Sequence, residues 1–186
     1  MKATDLAWRD FRSCFVGLLI LAMVLAGAGY GYYRYAFPYG WTHACDKVLS
    51  SALRDYALRH DGWFPRGEET PEASLSLLHP ELRAETLHGK SCPIEKTRAR
   101  LEAGLKLTPE TCGWHYVEGL RNDDDKELAL FWDKVGLGHN GGRLGSGCHY
   151  VWFVDGNREF ISGDEWGAFL RNQEELRAKI KRPKGK

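Results

Sequence analysis

From Ser13 to Tyr33 the chain reads SCFVGLLILAMVLAGAGYGYY, 21 residues without a charge. A helix of that length rises about 31 Å, enough to cross the hydrocarbon core of a bilayer. The run is apolar on every face, whereas a soluble helix shows one stripe, and no A-x-A-like cleavage site closes it. This predicts an uncleaved signal anchor: a transmembrane helix over 13–37, preceded by a segment over 1–12. Tyr30, Tyr32, Tyr33, Tyr35, Phe37, Tyr39 and Trp41 supply the amphipathic rings expected where a helix leaves the bilayer.

Beyond Pro38 and Gly40 the apolar positions recur at three- and four-residue spacing: Cys45, Val48, Leu49, Ala52, Leu53 and Tyr56. That stripe predicts an amphipathic helix, capped by Thr42 and stopping near His60 before Asp61, Gly62 and Pro65. Short helices are expected over Glu72 to Leu78 and Glu95 to Leu105. From Thr111 the pattern becomes aromatic and β-branched: Trp114 to Val117, Leu128 to Trp132 and Tyr150 to Val154 read as three strands. Asp155-Gly156-Asn157 is a tight-turn signal, so Arg158 to Ile161 should return as the fourth strand of an antiparallel sheet. Gly163-Asp164-Glu165 then opens a helix running to about Ile180, ahead of a basic tail over 181–186. The fold class is α+β: a transmembrane helix, then a domain over 38–180 with an amphipathic helix packed on a small antiparallel sheet and a C-terminal helix.

Composition narrows the function classes. Lys plus Arg total 26 against Asp plus Glu 25, which leaves no electrostatic footprint for nucleic acid. Seven Trp and eight Tyr give ample core-forming surface. Lys2, Arg9 and Arg12 precede the span while Arg34 and Lys47 follow it, a small bias towards a cytoplasmic N-terminus in the inner membrane. Cys45, Cys92, Cys112 and Cys148 form an even set, as expected of disulfides in an extracytoplasmic, periplasmic domain.

Two segments carry a family resemblance. Ala52 to Pro65 looks like the end of the long pilin helix and the turn after it, with Tyr56, Asp61-Gly62 and Phe64-Pro65. His139-Asn140-Gly141-Gly142, followed by His149 to Phe153, Asp155-Gly156 and the returning strand, resembles the signature of pilin-like proteins named for an H-X9-DG pattern. Ser91-Cys92-Pro93 and Leu130 to Asp133 look like further pieces, so the similarity to type II secretion pseudopilins covers roughly residues 44 to 170. The chain departs from the pattern in three ways. His139 lies farther than nine residues from Asp155, with 143–148 resembling an insertion. Ser13-Cys14-Phe15-Val16-Gly17 replaces the prepilin start, so prepilin cleavage is not predicted. Pro38 to Gly40 also separates anchor from domain, where a pilin keeps one long helix.

The resemblance implies a structural or interaction protein that contacts envelope or secretion-system proteins, with no catalytic residues. Major pseudopilins bind calcium in a loop, and Asp123, Asp124 and Asp125 concentrate carboxylates as such a site requires, without EF-hand spacing. No other cofactor is expected. In the anchor, Gly27 and Gly31 form a G-x-x-x-G that lets a second helix approach, as self-association would need. Two alternatives come from other classes. A membrane-anchored metal-dependent enzyme would draw on His115, Asp133, His139, His149 and Asp155, although HExxH, HxH and CxxC spacings are lacking. A ligand-binding envelope sensor would show a deep pocket lined by several Trp residues.

Overall fold

The computed structural model describes residues 3–180, and the side chains of 15–180. The expected basic tail, 181–186, lies outside the described residues, as do the side chains of the expected 1–12 segment. The backbone divides after Pro38 into two units.

The first unit is α1, Ala3–Ala36, a helix of 34 residues. Its stretch Phe15–Ala36, 22 residues, is apolar and long enough to cross a membrane, and none of it is buried in protein. Such a helix is compatible with a single-pass anchor or a signal sequence.

The second unit is α+β. α2 (Asp46–Arg59) is followed by α3 (Pro71–Leu75), a 3-10 turn (Ser76–Leu78), α4 (Ala84–Leu87) and α5 (Ile94–Glu102). Then come β1 (Trp114–Tyr116), β2 (Ala129–Asp133), β3 (His149–Phe153), β4 (Arg158–Ile161) and α6 (Gly163–Ala178). The strands form a wholly antiparallel sheet in sequence order, β1-β2-β3-β4. A register shift between Ala129 and Phe131 bends β2, where Gln173 Oε1 of α6 accepts the Ala129 N–H.

Register and strand alternation assign the two faces. Cross-strand partners His115, Trp132 and Val151 share one face with His149 and Phe153. α6 covers this face: Trp166 stacks on His149 and meets Trp132 edge-on, while Phe169 meets Trp132 and Phe153. Trp114, Tyr116, Phe131, Asp133, Trp152 and Arg158 point the other way, toward α2 and the loop bearing Lys90. Leu49, Leu53, Ala57, Phe64, Leu87 and Phe131 are fully buried in the core between them.

Thr42 does not cap α2. Cys45 occupies the N-cap without a side-chain bond, and the Thr42 hydroxyl faces His88 Nε2 at 3.0 Å instead. The buried stripe of α2 is also rotated from the expected one. Asp46, Leu49, Ser50, Leu53 and Ala57 face inward and Val48 outward, because Asp46 is drawn in beside two cations. α2 ends at Arg59 as expected, with Asp61 and Gly62 both at positive φ. α6 begins with a full capping box: Ser162 accepts from the Glu165 N–H and Glu165 accepts from the Ser162 N–H.

Candidate functional site

Lys90 follows Gly89, whose φ of +70° places its backbone against Gly113, and a Cβ at Gly89 would lie 2.7 Å from the Gly113 carbonyl carbon. That close approach needs glycine. It carries Lys90 under the sheet, where the ammonium lies 2.7 Å from Asp133 Oδ2 and the Lys90 N–H donates to Asp133 Oδ1 at 3.1 Å. Asp46 Oδ2 stands 3.9 Å from the same ammonium and 3.4 Å from Arg158 Nη1. Burial pushes the Asp133 carboxyl up to about 6, against the pull of Lys90. Lys90, Asp46 and Asp133 have almost no water-accessible side chain, so this cluster is sealed inside the domain rather than open to a ligand.

The opposite face of the sheet is open on one side of α6. There a groove of about 330 Å³ is lined by His115, Trp132, Lys134, His149, Trp166, Leu170, Glu174 and Arg177. His115 stacks on Trp132 at 4.1 Å and His149 on Trp166 at 4.1 Å. His149 Nδ1–H donates to the Asp133 carbonyl at 3.1 Å, which leaves Nε2 as the unprotonated nitrogen of the neutral ring. Burial holds both imidazoles below the ordinary histidine value, and for His115 the Arg177 charge adds to that lowering. Burial likewise lowers Arg177. Lys134 is satisfied by Glu72 at 2.6 Å and by the carbonyls of Pro109 and Cys112.

No protein-family model, curated protein or solved structure matches the chain.

Several of the residues singled out from the sequence hold turns. Asp155 accepts from the Asn157 N–H at 2.8 Å, and Gly156, at φ +83°, turns the β3–β4 hairpin beneath Arg54. Gly141, at φ +77°, lies against Thr42 and Gly40, and Gly142 accepts the Gly138 N–H. His139 is edge-on to His43 at 4.4 Å, whereas His115 and His149 line the groove with Trp132 and Trp166. Among the described residues no group of three or more His, Cys, Asp or Glu is placed to hold a metal ion.

The acidic loop expected to hold calcium is built as follows. Asp123 pairs with Arg121 at 2.7 Å, Asp124 accepts the Arg121 N–H at 2.7 Å and Asp125 accepts the Glu127 N–H at 3.0 Å. Each of the three carboxylates thus has a partner within its own loop.

Cys45, Cys92, Cys112 and Cys148, the expected disulfide candidates, are free thiols in the structure. The two buried sulfurs are aimed at separate backbone carbonyls, Cys92 Sγ at Glu110 and Cys112 Sγ at Leu87. Burial raises both thiols, Cys112 to about 12. Gly27 and Gly31 sit on α1 with open space where a side chain would start.

The groove residues carry no local sequence signature. His115 and His149 stood out as residue types, but Lys134, Glu174 and Arg177 are brought together only by strand register and by the packing of α6.

Proposed function

We propose that the chain is a membrane-tethered, non-enzymatic interaction protein of the cell envelope. In this reading α1 crosses the cytoplasmic membrane with its N-terminus inside. The domain after Pro38 is an extracytoplasmic, pilin-like head that docks other envelope or secretion-system proteins. The observation that carries it is the apolar, wholly unburied stretch Phe15–Ala36 joined to an α+β domain, since so much unburied hydrocarbon in water would drive aggregation. The pilin-like assignment is supported by the resemblance of Ala52 to Pro65 and His139 to Ile161. It is consistent with an amphipathic α2 and a small antiparallel sheet that contribute to one hydrophobic core.

The test uses the full chain with a tag at each end. An alkaline carbonate wash should leave it in the membrane pellet. Protease added to cells with a permeabilised outer envelope should remove the C-terminal tag and spare the N-terminal one. Crosslinking in those membranes should capture envelope proteins. An intact soluble species, a shorter released form, or a C-terminal tag protected from protease would overturn the reading.

A further inference from the structure

We propose that the groove between the sheet and α6 binds a small aromatic carboxylate, with its carboxylate on Arg177 and its ring against Trp166, Leu170 and the open face of His115. This assignment is independent of the pilin-like reading.

Size sets the first limit. Ligand pockets run from about 300 to 1,000 Å³, and at about 330 Å³ this one admits a single small molecule. The walls set the second. Trp132 is buried beneath His115, while Trp166 is half-buried and Leu170 is exposed, so the groove offers flat and apolar surface that reaches solvent.

Charge decides the class. The groove holds two permanent cations, Lys134 and Arg177, against one carboxylate, Glu174. Lys134 is already neutralised by Glu72 and bonded to two carbonyls. Arg177 differs: its Nε is buried without a hydrogen-bond acceptor in the protein. Glu174, one helical turn earlier, makes no ion pair with it within 4.0 Å among the described residues. The other buried side-chain nitrogen in that state, Trp152 Nε1, belongs to the opposite face of the sheet. Arg177 is half-buried, its unpaired Nε–H is costly by itself, and a carboxylate matches the planar fork of its guanidinium. The basic groups facing that position are His115, Lys134 and His149, with Glu174 the acid that opposes an anion.

The experiment is calorimetric titration of the full chain in lipid nanodiscs with benzoate, using benzyl alcohol and acetate as comparators. Benzoate should bind at least about tenfold more tightly than either, since both ring and charge are recognised. R177Q should weaken benzoate about tenfold or more, R177K should keep part of the affinity, and E174Q should tighten it. A merely apolar groove would respond to neither charge change. Absence of benzoate binding, equal binding of benzyl alcohol, or R177Q and E174Q moving affinity in the same direction would overturn the proposal. Circular dichroism of each variant confirms that the domain is folded when the affinity is read.

Discussion

Lys90 Nζ lies 2.7 Å from Asp133 Oδ2, and water reaches almost none of either side chain. Removing one member of such a pair leaves the other charge desolvated and alone, which typically costs about 3–5 kcal/mol. K90M should therefore lower the urea midpoint of the domain sharply. K90M/D133N should cost less than the two single changes added together. The sign of the pH effect follows from burial, which raises Asp133 to about 6 in the folded protein from an ordinary 3.8. A carboxyl raised in this way stabilises fully below its unfolded value and loses that contribution as pH rises through the folded one. With Lys90 gone the carboxyl should rise further, so the deficit of K90M relative to the parent should be smaller at pH 5 than at pH 7.5. A deficit equal at both values would refute the coupling.

His88, His115 and His149 titrate with the opposite sign. Burial lowers all three from the ordinary 6.5, and a lowered imidazole gives stability that is present above that value and lost as pH falls through the folded one. The domain should weaken as pH drops below about 6.5, in competition with Asp133. His115 is the cleanest probe because one face is open and it makes no hydrogen bond among the described contacts. H115Q should leave stability at pH 7.5 nearly unchanged and flatten the decline between pH 6.5 and 5, read by tryptophan fluorescence in urea. Parallel curves for parent and variant would contradict the lowered imidazole.

Apolar patterning and local turn or cap signals locate α1, α2, α6 and all four strands, the fourth strand through the turn Asp155-Gly156. α4 was missed: Ala84–Leu87 is one turn long and has no repeating stripe. The inward face of α2 was misjudged for a different reason. Asp46 reads as surface in any hydropathy pattern, and only Lys90 and Arg158, distant in sequence, make its burial favourable. The acidic triplet was legible as a cluster but not in direction, since Arg121, two residues before Asp123, claims the first carboxylate and its N–H the second. The groove was illegible, for Arg177 meets His115 only when α6 folds back across the sheet.

Gly27 and Gly31 lie one turn apart on α1, and a Cβ added at either meets nothing within 4 Å. Replacing both with Ile therefore introduces no clash inside the chain, and the β-branched side chains cost little helix propensity in an apolar span. Any change in association would come from blocking close approach of a second helix. G27I/G31I should reduce crosslinked dimer of the full chain in membranes by about tenfold while leaving membrane retention intact. Undiminished dimer would mean that the glycine face makes no helix contact.

The redox argument for an extracytoplasmic domain is the even set Cys45, Cys92, Cys112 and Cys148 in the domain, which are free thiols in the structure. The four sulfurs should also differ in reactivity, because only the thiolate attacks an alkylating reagent. Cys112 is buried with its thiol raised to about 12, and Cys92 is buried and raised as well, whereas Cys45 and Cys148 are part-exposed. Iodoacetamide applied to the folded chain at pH 7.5 should label Cys45 and Cys148 and spare Cys92 and Cys112. After unfolding in urea without reductant, all four should take the label. If reductant is needed before any of them reacts in urea, that cysteine is paired in the cell, as an external domain would have it.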